Sequence, residues 1–84
     1  MERQNFYCVY ILQSISDAEK FYIGFTTDLK KRILKHNNGE VPHSSKYRPW
    51  KIKNTISFDD KEKALTFEKY LKSHSGRAFA KKHF

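Results

Sequence analysis

Residues 20–38 read KFYIGFTTDLKKRILKHNN, and this stretch decides the fold. Its first part, Phe21-Tyr22-Ile23-Gly24-Phe25, is aromatic and β-branched, the composition of a strand. The chain turns at Thr26-Thr27-Asp28, where Thr27 or Asp28 offers a side-chain oxygen to the free N–H groups that open a helix. The helix is expected to run to about Asn38, because Asn37-Asn38-Gly39 supplies a C-terminal stop. At ~100° per residue Leu29 and Ile33 mark its buried stripe. Arg32 and His36, four residues apart, fall on the edge of that stripe, and Lys30, Lys31 and Lys35 fall on the outer half. Arg32 and His36 are therefore expected near the sheet and the lysines in solvent.

Working outward, Phe6 to Gln13 (FYCVYILQ) is another strand, apolar on both faces, which predicts a central position covered on both sides. Ser14 to Glu19 is a polar loop of hairpin length, so the 20–25 strand returns as its partner. In that partner Phe21, Ile23 and Phe25 share one face, and Tyr22 and Gly24 the other. Gly24 reads either as a point where a ligand backbone comes close or as a bulge or turn-entry glycine. Downstream, Gly39 to Pro49 reads as a loop. Trp50 to Phe58 alternates as a third strand, with Trp50, Ile52, Ile56 and Phe58 inward and Lys51, Lys53, Thr55 and Ser57 outward. Asp59 at N-cap and Glu62 at N3 suggest a capping box for a helix over 61–73. Gly76 is expected to break it, leaving a short last helix from Arg77 to Phe84. The order is β-β-α-β-α-α, and 84 residues make one domain over 1–84.

The composition narrows the classes. The net charge is +8, with 17 Lys+Arg against 9 Asp+Glu. Between Asp28 and Lys53 there are eight Lys/Arg and two acids. Such an uneven excess points to a polyanion, nucleic acid before an anionic membrane surface. The single cysteine, Cys8, excludes an internal disulfide and reads as a small core residue. No apolar run is long enough to span a membrane, and the first residues lack the apolar core of a signal peptide, so no membrane partner and a cytoplasmic setting are expected. His43, His74 and His83 sit in polar or terminal segments, and no His/Cys spacing matches a zinc site.

Several side chains have both a chemical and a plain reading. Glu68 projects between Ala64 and Leu65, inside the apolar stripe that Ala64, Phe67 and Leu71 form and that Leu65 is expected to extend. A carboxylate there needs a compensating charge. That charge is either a divalent ion completed by waters and a phosphate, or an ion pair with Lys72 or Arg32. Arg32 is a bidentate phosphate fork or a packed helix-edge arginine. His36 is a proton shuttle or a histidine favoured by the helix C-terminus. Tyr10 and Tyr22 are core or hairpin residues, or groups that handle a proton when nearby cations lower their pKa.

In their order along the chain these residues resemble the GIY-YIG nuclease superfamily in its compact single-domain form. The second signature is intact as Tyr22-Ile23-Gly24, and the first keeps only its tyrosine in Cys8-Val9-Tyr10. Arg32 lies ten residues after Tyr22 and His36 four further on, and Glu68 lies on the helix after the third strand. Phe25 stands where many members carry a basic residue, and the C-terminal asparagine of many members has no clear counterpart.

The resemblance implies an α+β fold, a three-stranded antiparallel sheet flanked by helices. It implies a metal-dependent endonuclease that hydrolyses DNA phosphodiesters, with a role in repair or recombination. Glu68 would hold one Mg²⁺ or Mn²⁺, and Arg32 would stabilise charge in the transition state. Tyr10 or Tyr22 would activate or orient water, with His36 as a supporting acid or base. Lys31, Lys35, Lys46, Tyr47 and Arg48 are expected to contact DNA, with RNA an alternative substrate. Without a DNA-targeting domain on this chain, cutting is expected to be structure-directed or weakly specific unless a protein partner supplies targeting. The alternative is a nucleic-acid-binding module that retained the fold without catalysis.

Overall fold

The strand read as central, β1 (Tyr7–Ser14), lies in the middle of a three-stranded antiparallel sheet. The computed structural model describes residues 6–84, so residues 1–5 of the expected 1–84 domain lie outside the description. β2 (Phe21–Thr26) pairs along one side of β1 and β3 (Trp50–Phe58) along the other. Four helices complete the chain: α1 (Leu29–Asn37), a single turn α2 (Pro42–Ser45), α3 (Lys61–Leu71) and α4 (His74–His83). Apart from α2, formed within the expected loop, the order is the β-β-α-β-α-α of the sequence reading.

β1 is covered on both faces, as its two apolar faces require. Cys8, Tyr10 and Leu12 pack with Trp50 and with Leu29 and Ile33 of α1. Val9 and Ile11 pack with Ala64 and Leu71 of α3 and with an aromatic group that includes Phe67, Phe79 and Phe84. Each fully buried aliphatic side chain there contributes about 1.5–3 kcal/mol. Cys8 is a buried free thiol, and desolvation pushes its pKa up, away from reactivity.

The local stops and starts follow the sequence with three corrections. Asp28 caps α1 by accepting from the Lys31 N–H at 3.1 Å. Gly39, at φ 77°, closes it: the Gly39 and Glu40 N–H groups bond back to the carbonyls of His36 and Lys35. The cap of α3 is Asp60, one residue later than expected, accepting from the N–H groups of Glu62 and Lys63. Leu65 does not extend the buried stripe of α3; it is exposed. Gly76 is not the break between the last two helices. The break is at Ser73, whose hydroxyl accepts from the Gly76 N–H at 3.1 Å and so starts α4 three residues earlier than read. Gly76 lies in the first turn of α4, where a Cβ would collide with the Tyr70 carbonyl, so the glycine lets α4 close onto the end of α3.

β3 departs from the single alternation expected of it. Between the pairs Ile11↔Asn54 and Leu12↔Ile52 the register slips, and Lys53 falls between them without a partner on β1. The extra residue is a bulge and reverses which face each later side chain occupies. Trp50 and Ile52 therefore share the face of Leu12, whereas Ile56 and Phe58 share the face of Val9 and Tyr7. Ile52, expected inward, is 47% exposed. The bulge lets Trp50 join the α1 face while Phe58 packs beside Phe67 of α3.

Candidate active site

Most of the candidate side chains gather on the α1 face of the sheet. Tyr10, from the middle of β1, sends its ring across β2 at Gly24, its register partner. A Cβ on Gly24 would overlap the Tyr10 hydroxyl and Cζ. Gly24 is thus neither a bulge nor a turn glycine, and its close neighbour is a side chain of this protein rather than a ligand backbone. The Tyr10 hydroxyl lies 2.9 Å from Nε2 of His36, and Nδ1 of His36 lies 2.6 Å from Oγ of Ser44. All three residues are essentially fully buried.

Tyr22 completes an aromatic wall. Its ring meets the His36 imidazole edge-on at 4.6 Å and stacks on Tyr10 at 6.3 Å. Tyr22 is only part-buried, and among the described residues its hydroxyl makes no hydrogen bond, unlike that of Tyr10. The sequence left the two tyrosines equivalent; the structure separates them into one held by His36 and one open to solvent.

The charges converge on the same point. Burial raises the Tyr10 pKa most, with Tyr22 and Glu68 adding to the rise, while the nearby Arg32 guanidinium opposes it. Burial, aided by Arg32, lowers the pKa of His36 below its ordinary 6.5. Arg32 from α1 therefore acts on both Tyr10 and His36, and Glu68 from α3 on Tyr10. A buried neutral imidazole has a consequence for stability. Its folded pKa lies below 6.5, so between the two values the unfolded chain binds the proton more readily. Stability from this group is complete above the ordinary value and falls as pH drops through that window. Urea midpoints measured from about pH 7.5 down to about pH 5 should fall more steeply for this protein than for His36→Gln, since imidazole is the group that titrates there. Parallel curves would mean that His36 is not the group responsible.

Glu68 forms an ion pair with Lys72 at 3.2 Å, the plain partner foreseen for it; the Glu68 side chain is 19% exposed and that of Lys72 53%. A pair this open to water is worth no more than about 1 kcal/mol. Among the described residues no group of three His, Cys, Asp or Glu could hold a metal ion. The candidate donor is a single, mostly buried carboxylate whose charge acts on Tyr10. This suits Mg²⁺ or Mn²⁺, which keep several waters and take substrate phosphate oxygens, and does not suit zinc. The residues present fit such an ion with Glu68 as its protein ligand.

The expected nucleic-acid contacts lie around this face. Lys31 and Lys35 are exposed on α1. Lys46 and Lys20 both hold their ammonium groups over the Tyr47 ring, at 5.5 and 5.4 Å. The Tyr47 carbonyl accepts from Ser14 Oγ at 2.6 Å, which ties this loop to the end of β1. Arg48 is exposed and lays its guanidinium against Gly39. Phe25 lies on the opposite face of the sheet, stacked on Tyr7 at 6.2 Å within the α3 core. The position read as missing a basic residue is thus a core position here.

Sequence reasoning missed Ser44, Trp50 and Asn37 as parts of this site. Trp50 Nε1 donates to the Ser44 carbonyl at 2.8 Å. The Asn37 side chain accepts from the Trp50 N–H at 2.6 Å and donates to its carbonyl at 3.2 Å. The one available signal was Asn37 directly after His36, read only as a helix stop.

The fold is thus an α+β sheet carrying a buried Tyr–His pair, with the charges of an arginine and a carboxylate acting on the tyrosine. The chain belongs to the GIY-YIG family: the GIY-YIG catalytic domain matches residues 6–82. It is 42% identical over 69 residues to the UPF0213 protein YsiG of Lactococcus lactis, a match covering 81% of this chain and 64% of that protein. It is 38% identical over 71 residues to the structure-specific endonuclease subunit SLX1 of Vanderwaltozyma polyspora, covering 75% of this chain and 22% of the subunit. The SLX1 subunit of Kluyveromyces lactis is 40% identical over 72 residues, covering 76% of this chain and 25% of the subunit. The chain thus spans just under two thirds of the bacterial relative and about a quarter or less of the SLX1 subunits. No helix among the described residues is long and apolar enough to cross a membrane.

Proposed function

We propose that this chain is a divalent-metal-dependent endonuclease that hydrolyses DNA phosphodiesters in a structure-directed or weakly specific manner. The observation that carries this reading is the bonded Tyr10–His36 pair with the charges of Arg32 and Glu68 both acting on its tyrosine. A binding module needs only the lysines. It has no use for a fully buried imidazole whose lowered pKa keeps it neutral and able to accept a proton.

In this reading Tyr10 takes the proton of the attacking water as it passes its own to His36 Nε2. The raised pKa of Tyr10 keeps it protonated at rest, so it acts only through that coupled transfer. Tyr22, open at the mouth of the site, orients the water or the phosphate. Arg32 binds phosphate oxygens and opposes the charge that grows on them in the transition state. A Mg²⁺ or Mn²⁺ on Glu68 would supply charge neutralisation at the phosphate and at the leaving 3′ oxygen. Lys31, Lys35, Lys46, Tyr47 and Arg48 hold the flanking backbone. The relatives named as structure-specific endonuclease subunits support structure-directed cutting and a protein partner. A role in repair or recombination, with that partner supplying targeting, belongs to the same reading. A cytoplasmic setting, with RNA as a further substrate, belongs to the same reading.

The test is cleavage of a panel of nicked, branched, single-stranded and duplex DNA, and matching RNA, with Mg²⁺, Mn²⁺ or chelator. Metal-dependent products from at least one DNA structure are expected. No product from any substrate with any divalent ion would leave the non-catalytic binding module as the better reading.

The basic face makes a second, separate expectation. Affinity for duplex DNA should fall with salt at a log–log slope of about −0.9 for each phosphate neutralised. Replacing Lys31 and Lys46 together with Ala should flatten the slope by about 2 without altering sequence preference. Anisotropy titrations across salt concentrations measure it, and a slope near zero for the parent protein would exclude a phosphate-binding face.

A further inference from the structure

We propose that Ser44 is a positioning residue that fixes His36 in the Nδ1–H tautomer, so that Nε2 faces Tyr10 as a proton acceptor. Its consequence for cleavage rests on the endonuclease reading; the tautomer itself does not. Counting protons along the buried chain carries the inference. The Tyr10 hydroxyl, the imidazole and the Ser44 hydroxyl have one proton each when His36 is neutral. The distances along the chain are 2.9 Å from Tyr10 Oη to Nε2, 2.6 Å from Nδ1 to Ser44 Oγ, and 3.3 Å from Ser44 Oγ to the Val41 carbonyl.

A carbonyl only accepts. With the proton on Nδ1, Tyr10 donates to Nε2, Nδ1–H donates to Ser44 and Ser44 donates to Val41, so every proton has an acceptor. With the proton on Nε2, Ser44 donates to Nδ1 and Nε2–H donates to Tyr10. The Tyr10 proton is then left without an acceptor at a residue only 1% exposed. An unpaired buried donor is costly, so the first arrangement wins.

Ser44 is built for this task. It is 0% exposed and cannot serve solvent or a ligand directly. Its backbone is held on both sides: its N–H donates to the Val41 carbonyl at 3.1 Å, and its carbonyl accepts from Trp50 Nε1 at 2.8 Å. The single turn of α2, opened by Pro42 at its first position, sets the hydroxyl opposite α1. The same logic orients imidazoles at metal sites, where the partner of the second ring nitrogen fixes the tautomer and its loss costs about 10–100-fold.

The experiment uses the full chain with ¹⁵N-labelled histidine and reads the protonation of each His36 nitrogen by long-range ¹H–¹⁵N correlation near neutral pH. In the parent protein Nδ1 should carry the proton and Nε2 none. Ser44→Ala should move His36 toward the Nε2–H form. Tyr10→Phe should leave it Nδ1–H, because Nε2–H would then have no acceptor whereas Nδ1–H still has Ser44. In cleavage assays Ser44→Ala should lower kcat about 10–100-fold with KM changed little. A parent protein with Nε2–H, an unchanged tautomer in Ser44→Ala, or a tautomer that flips in Tyr10→Phe overturns the proposal. So does an unchanged kcat in a Ser44→Ala protein whose tautomer has moved. If the tautomers behave as stated but the parent protein cleaves nothing, the endonuclease reading falls and the positioning role of Ser44 stands.

Discussion

Glu68→Ala should abolish metal-dependent cleavage, a loss of about 10³-fold or more, while DNA binding and folding persist. Glu68 is the acid of α3 whose charge reaches Tyr10, and among the described residues no cluster of three possible ligands exists to replace it. Its Lys72 partner is 53% exposed and remains solvated when the carboxylate goes, so the stability cost should stay below about 1 kcal/mol. Alanine also suits a position inside a helix. Binding should hold or strengthen slightly, since one negative charge leaves a chain of net charge +8. Arg32→Ala should lower the single-turnover rate about 10²–10³-fold and weaken binding only modestly, as for a group that acts mostly in the transition state. Single-turnover cleavage, anisotropy and urea midpoints on both variants separate these effects. A Glu68→Ala protein that melts would assign Glu68 a structural role, and one that cleaves normally would remove it from the site.

Gly24→Ala should damage both stability and cleavage, although alanine ordinarily suits a strand better than glycine does. The added methyl would fall on the Tyr10 hydroxyl and Cζ, and Tyr10 is only 1% exposed. Overpacking of this kind costs about 1–3 kcal/mol. The ring can move only by giving up the 2.9 Å bond to His36. If Tyr10 handles the proton, cleavage should fall about 10²-fold or more. Tyr10→Phe removes the first atom the methyl meets, so the two substitutions should be non-additive, with Gly24→Ala costing less stability in the Tyr10→Phe background. Gly39→Ala is the control. It adds backbone strain at φ 77°, worth about 1 kcal/mol, but what it displaces is the flexible, exposed end of Arg48 rather than a buried ring, so it controls for stability. Equal cleavage by the Gly24→Ala and parent proteins would show that Tyr10 need not stay where it is.

The sequence by itself determined β1, β2 and α1 and the faces of those elements. A switch from period 2 to period 3.6 across Thr26–Asp28 is a local property of side-chain spacing, and β2 and α1 follow it. Arg32 and His36 had to lie on one edge of α1 because residues four apart are neighbours on any helix. Glu68 stood out because a carboxylate in an apolar stripe is conspicuous wherever the helix packs.

What a side chain meets across the fold is not a local property, and there the tertiary structure decided. The bulge at Lys53 is invisible to an alternation count, since Trp50 to Phe58 reads well in a single register; only pairing with β1 on one side and packing against both helical layers places the extra residue. Lys72 rather than Arg32 pairs with Glu68, because Lys72 lies one turn further along from it whereas Arg32 is carried by α1. Tyr10 is the tyrosine bonded to His36, and Tyr22 is not, because the space above Gly24 admits the ring of its strand partner. Ser44 becomes the second partner of the imidazole only when α2 folds back against α1. Ser44 lies eight positions after His36, and no periodicity relates positions joined through a turn.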